Sequence, residues 1–168
     1  SLRYLNANAA FRFGPAGRPL GGFTWDGRAD SRQAQAAGPL LAPIEMANAD
    51  VAAVAGKVRQ ASYFNDFARL FGLGAAATDE QLFDGVTLAL ATYQAEDPDY
   101  ELFNSKFDQF LDGTATLTAQ ETRGMQVFND PARGNCASCH SSRVGADGSR
   151  PLFTNFSYAA LGLPRNPA

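Results

Sequence analysis

The strongest constraint on the fold is a set of short polar residues, each placed just ahead of an apolar run at helical spacing. Thr78 with Gln81 is a capping-box pattern, and Leu82, Val86, Ala89, Leu90 and Tyr93 then recur along one face until Asp97-Pro98 stops the run. Thr118 with Glu121 repeats the pattern ahead of Met125 and Phe128. Asp50 can cap a helix carrying Val51, Val54 and Val58, and Ser62 can cap another carrying Phe64, Phe67, Leu70 and Phe71, ended by Gly72 and Gly74. A further helix is predicted from about Asp99 to Leu111, with Phe103, Phe107, Phe110 and Leu111 on one side. No segment alternates convincingly with period two, so the sequence predicts an all-α fold.

The first 49 residues differ from the rest. Gly14, Pro15, Gly17, Pro19, Gly21, Gly22, Gly38, Pro39 and Pro43 free or fix the backbone at short intervals, which predicts ordered loop with short helical turns. A domain boundary is expected where Glu96-Asp97-Pro98-Asp99 separates two helical groups, dividing residues 1–98 from residues 99–168. The 168 residues suffice for one ordinary domain or two small ones. Seventeen acidic against fourteen basic residues, with no lysine and arginine run, argue against a nucleic-acid partner. No apolar stretch approaches the roughly 20 residues of a membrane span. The chain opens at Ser1 without methionine, as a processed or partial chain would.

Chemistry concentrates in Cys136-Ala137-Ser138-Cys139-His140, which holds both cysteines and the sole histidine. C-x-x-C-H is the attachment signature for c-type haem. Thiols at i and i+3 on one helical turn can meet two vinyl groups on one edge of a porphyrin, and the next residue can turn its imidazole toward the iron. A thioredoxin-like pair prefers a βαβ setting that this sequence lacks. Zinc would need a fourth ligand, and three ligands within five residues suit a tetrahedron poorly. Structural cysteines beside a chance histidine are the remaining reading. The sixth iron ligand stays open: Met46 and Met125 are the only methionines, and both are expected to pack rather than ligate.

A second group of residues surrounds the only tryptophan, in Phe23-Thr24-Trp25-Asp26-Gly27-Arg28, with Gln35 and Glu45 ten and twenty residues further on. Singly they read as a core aromatic, a surface amide and a solvated carboxylate.

Together with C-x-x-C-H, these segments resemble the bacterial di-haem cytochrome c peroxidase family, including its methylamine-utilisation relatives. The likeness also rests on Tyr4-Leu5-Asn6-Ala7-Asn8-Ala9-Ala10-Phe11, on Gln35-Ala36-Ala37-Gly38-Pro39-Leu40 and on Pro43-Ile44-Glu45-Met46. Further along it includes Phe107-Asp108-Gln109-Phe110-Leu111-Asp112-Gly113, Gly124 to Phe128, Phe153-Thr154-Asn155-Phe156 and Gly162-Leu163-Pro164-Arg165-Asn166.

The resemblance implies parts of two cytochrome c-like helical domains, the back of a peroxidatic first-haem domain over 1–98 and the front of a high-potential second-haem domain over 99–168. Hydrogen peroxide would be reduced to water with electrons from a small donor protein such as a cytochrome c or a cupredoxin. Trp25 matches the tryptophan between the haems, Glu45 the distal acid–base carboxylate and Gln35 its polar neighbour. Cys136, Cys139 and His140 match the attachment site and proximal ligand of the second haem, so His140 is the metal ligand. Family members carry two C-x-x-C-H motifs, whereas this sequence has one. An interior fragment, inactive alone, is therefore expected, with a second haem c and calcium belonging to the parent and an apo form of this chain open. A cavity lined by Phe128, Leu152 and Phe156 should then mark the haem's place. A mono-haem electron carrier and a methylamine-utilisation-type enzyme oxidising a protein are the alternative readings. Covalent haem attachment implies the periplasm, and a homodimer is compatible with the family.

Overall fold

The computed structural model describes residues 2–74, 76–160, 162 and 164. These fall into two compact units, one within Ser1–Phe11 and Gly22–Tyr100 and the other within Arg12–Gly21 and Glu101–Ala168. Residues 12–21 thus group with the later part of the chain, which a linear division at 98/99 does not capture. The described residues are mostly helical, and no described helix is long and apolar enough to cross a membrane.

The first unit holds four helices: α1 (Arg32–Leu41), α2 (Val51–Gln60), α3 (Phe64–Leu70) and α4 (Asp79–Glu96). Asp50 caps α2 by accepting from the Ala53 amide at 2.8 Å. Thr78 and Gln81 close the reciprocal capping box of α4, with bonds of 3.2 and 2.9 Å. The core is Leu40, Val54, Ala55, Val58 and Leu82, with Phe64, Phe67 and Phe83 packed around it. Burying a side chain the size of Leu82 contributes roughly 1.5–3 kcal/mol. Gly85 lets α3 close on α4, because a Cβ there would stand 2.8 Å from the ring of Phe67.

Three local expectations are corrected. α1 lies inside the stretch expected to be loop: Ser31 caps it, accepting from the Ala34 amide at 3.0 Å, and Pro39 falls in its last turn. Proline there forfeits one helical bond without ending the helix. Tyr63, not Ser62, occupies the cap position of α3, because a turn in which the Phe64 amide bonds the Ala61 carbonyl precedes the helix and delays its start to Phe64. The long helix expected from Asp99 is a 3₁₀ turn (Pro98–Tyr100) followed by a break at Phe103, whose φ of 40° is left-handed.

The second unit therefore begins its helical part late, with α5 (Lys106–Leu111) and then α6 (Ala119–Asn129). Each opens on a capping box, Ser105 with Asp108 and Thr118 with Glu121. Lys106 joins the two helices by reaching both Glu121 oxygens at 2.9 and 2.7 Å. That ammonium, with the Thr118 groups, holds the Glu121 carboxyl down at about 2. A two-stranded antiparallel hairpin, β1 (Arg12–Phe13) and β2 (Pro19–Leu20), also belongs to this unit, its strands too short to show alternation in sequence. Tyr158 ties it down, donating its hydroxyl to the Gly21 carbonyl at 2.6 Å. Of the expected terminal segment, Leu163, Arg165 and Asn166 lie outside the described residues.

Candidate functional site

In the first unit, Trp25 sits at the tip of a tight loop and is 72% exposed rather than core. The loop is built by backbone demand. Phe23 and Ala29 exchange both amide–carbonyl bonds, Thr24 and Gly27 take left-handed φ of 68° and 72°, and a Cβ at Gly22 would stand 2.8 Å from the Gly27 carbonyl oxygen. Asp26 fastens it from inside, accepting from Thr24 Oγ1 at 2.6 Å and from Arg28 Nη1 at 2.7 Å. Those two contacts, Thr24 first, hold its carboxyl at about 2.

Gln35 projects from α1 beneath this loop. A cavity of about 410 Å³ is lined by Leu5, Asn8, Thr24, Trp25 and Gln35, and another of about 490 Å³ by Thr24, Arg28, Gln35, Pro39 and Glu45. Thr24 and Gln35 line both, so the structure brings Gln35 together with Trp25 on one side and with Glu45 on the other. The Gln35 Oε1 is buried without a hydrogen-bond partner, an acceptor held ready for a donor.

Glu45 is presented by a turn folded back on the end of α1, where the Glu45 amide bonds Ala42 and the Met46 amide bonds Pro39. Asn48 locks it, donating from Nδ2 to the Leu40 carbonyl at 2.6 Å and accepting from Lys57 Nζ at 2.5 Å. Sequence reasoning missed Asn48, since its role depends on α1 and α2 meeting. Met46 is 61% exposed, not packed.

The second unit holds the thiols. Asn135 adopts a left-handed φ of 49° and leads into a 3₁₀ turn (Cys136–Ser138), after which the His140 amide bonds the Cys136 carbonyl at 2.8 Å. Both cysteines are free and exposed. His140 Nδ1 lies 2.9 Å from the Phe153 carbonyl oxygen. That carbonyl can only accept, so Nδ1 carries the hydrogen and Nε2 keeps its lone pair.

A cavity of about 260 Å³ adjoins, lined by Phe107, Gly124, Met125, Phe128, Asn129 and Phe153. The Phe153 ring stands edge-on to Phe107 and Phe128, with centroids at 5.4 and 5.9 Å. Phe128 lines it as expected, whereas Leu152 and Phe156 do not, and Phe107, Met125 and Phe153 take their place. Two reachable thiols on one turn, an imidazole whose far nitrogen is fixed as an acceptor, and an aromatic-lined cleft beside them fit a covalently held haem.

These features define a c-type haem protein with a further polar pocket on a separate unit. The family model described as di-haem cytochrome c peroxidase matches residues 3–116, and the chain belongs to that family. The methylamine utilization protein MauG of Paracoccus denitrificans is 40% identical over 99% of this chain and 42% of its own length. The cytochrome c551 peroxidase of Nitrosomonas europaea is 30% identical over 86% of the chain and 39% of its own length. Among solved structures, the diheme peroxidase BthA from Burkholderia thailandensis superposes with a TM-score of 0.88 at 36% identity, covering 98% of this chain and 40% of that one. The chain thus spans about two fifths of the length of these relatives. Its family implies haem c as cofactor.

Proposed function

We propose that this chain contributes the distal pocket and the second haem site of a periplasmic enzyme that reduces hydrogen peroxide to water. The observation that carries the reading is the shared lining of the two cavities, in which Thr24 and Gln35 connect Trp25 to Glu45. Residues 1–98 then belong to the peroxidatic domain and 99–168 to the high-potential domain, as the family resemblance suggests.

Haem, when bound, supplies iron that passes electrons to peroxide. The chain's own residues do the rest. Cleaving the O–O bond needs a proton moved onto the departing oxygen, and Glu45 is the carboxyl group placed at the cavity to move it. Gln35 offers a buried acceptor oxygen that orients a peroxide hydrogen. Trp25, exposed on its tight loop, presents an aromatic face that would serve an electron path once the haems are bound. Cys136 and Cys139 would tether the second haem, and His140, whose Nε2 is left free as an acceptor, would hold its iron. The parent carries another haem c and calcium, and it takes electrons from a small cytochrome c or cupredoxin, with a homodimer as the assembly. With a single attachment motif, the isolated chain does not turn over peroxide.

In the haem-loaded parent, Glu45→Gln should slow the peroxide step by about 10²–10⁴-fold, the usual loss on removing a general acid–base group. Stopped-flow mixing with peroxide reads this directly, and unchanged rates would remove Glu45 from the mechanism. The 40% identity to MauG over nearly the whole chain favours a second reading, a methylamine-utilisation-type enzyme oxidising a protein. Turnover with a small electron donor alone separates the two.

A further inference from the structure

We infer that Arg150 is a positioning residue for His140, acting through the carbonyl of Phe153; this rests on the reading of His140 as the haem-iron ligand. The segment from His140 to Phe153, thirteen positions on, forms an arm with little regular structure, yet its last carbonyl must meet the imidazole to within a hydrogen bond. Its anchors explain how. Near its start, Ser142 donates to Asn129 Oδ1 at 2.6 Å, and Asn129 donates to the Met125 carbonyl at 2.8 Å, which pins the arm to α6. Midway, the arm folds on itself, with the Gly145 amide bonding Ser149 and Asp147 Oδ1 accepting from the Ser149 amide at 3.0 Å.

Near its end stands Arg150. Its Nη2 reaches both Asp112 oxygens at 2.8 and 2.9 Å, and its Nη1 lies 3.5 Å from the Asp108 carbonyl and 3.7 Å from the Asp108 carboxylate. The guanidinium also lies over the Phe103 ring, 5.7 Å from its centroid. Asp108 is 8% exposed and is held by Ser105, so the anchor point on α5 is rigid. Pro151, buried, fixes φ immediately afterwards. Phe153 then takes a left-handed φ of 55°, with its ring between Phe107 and Phe128. A guanidinium fork that grips one helix at several points sets where the chain re-enters, three residues before that strained backbone. A lysine could keep the charge but not the fork.

Two measurements test this without reading activity. Because His140 is the only histidine, the imidazole nitrogens in a long-range 15N–1H spectrum of the unloaded chain need no assignment. The wild type should show the Nδ1–H tautomer, and Arg150→Met should shift the tautomer ratio toward Nε2–H by roughly two- to twelvefold, the equivalent of one hydrogen bond. In the haem-loaded protein, weakening that bond lowers ligand basicity, so the midpoint potential should rise in Arg150→Met. Loss of a positive charge alone would lower it, so the sign separates positioning from electrostatics. Arg150→Lys keeps the charge and should return part of the shift in both measurements, and it carries the comparison if Arg150→Met does not fold. An unchanged tautomer ratio, or a potential that falls in Arg150→Met and stays at the wild-type value in Arg150→Lys, overturns the assignment. Failure of His140 to ligate haem at all, seen as loss of the low-spin spectrum's dependence on it in His140→Ala, would instead overturn the underlying site.

Discussion

The two units solve the problem of stability differently. Among the described residues, every buried apolar side chain except Pro151 belongs to the first: Phe23, Ala29, Ala36, Leu40, Val54, Ala55, Val58, Leu82 and Ala91. In the second, α5 buries only Asp108 and α6 buries nothing, while Phe107, Met125, Phe128 and Phe153 turn toward an open cleft beside the thiols. One unit is held by side chains packed on side chains. The other is held by capping boxes, ion pairs and aromatic edges, with apolar side chains arranged around the place where a haem fits. A small unit of this kind gains further stability from the group it binds, because anything that binds only the folded form stabilises it by mass action.

The largest test of this contrast removes the tether. Replacing Cys136 and Cys139 by serine should abolish covalent haem, seen as loss of the haem mass and of the c-type band, and should lower the hydrogen-exchange protection of α5 and α6 without unfolding them. The amides of α2 and α4 should keep their protection. Equal loss in both units would mean that they do not differ as described.

The reciprocal change is Leu82→Ala. Leu82 is fully buried at the centre of the first core, so its truncation should cost about 2–5 kcal/mol in denaturant unfolding and act on the first unit alone. A cost below about 1 kcal/mol would show a core that collapses around the gap.

Acid probes the second unit most gently. Glu121 is held at about 2 in the fold, below its ordinary 4.5, by the Lys106 ammonium and the Thr118 cap. A lowered folded-state value means that its stabilisation is complete above about pH 4.5 and is lost as pH falls toward 2. Removing the charge by Glu121→Gln should erase that pH dependence of the α6 signal while leaving α2 and α4 unaffected. Hydrogen exchange across that range checks it, and a pH profile unchanged by the substitution would assign the acid sensitivity elsewhere.

The elements differ in how legible they are. α2, α4 and α6 could be read directly because a cap residue and an apolar stripe, joined in α4 and α6 by a reciprocal glutamine or glutamate, lie within a few residues of one another. α1 could not, since Gly38 and Pro39 signal interruption locally and only packing of Leu40 against α2 and α4 overrides them. The break at Phe103 was hidden for the same reason, as its aromatic neighbours mimic one helical face.

The sequence by itself determined the helical class and the turn that carries Cys136, Cys139 and His140, because both follow from residues spaced within one or two helical turns. It also placed Trp25, Gln35 and Glu45 in one group, though only through resemblance. Tertiary structure alone decided that Gln35 and Thr24 stand between Trp25 and Glu45, that Asn48 locks the Glu45 turn, and that Arg150 anchors the arm reaching from His140 to Phe153. Such relations join residues as far apart as Arg150 and Asp108, 42 positions, and no local pattern encodes them. They exist only once helices have packed, when the position of a carbonyl or a carboxylate is set by elements that the nearby sequence does not contain.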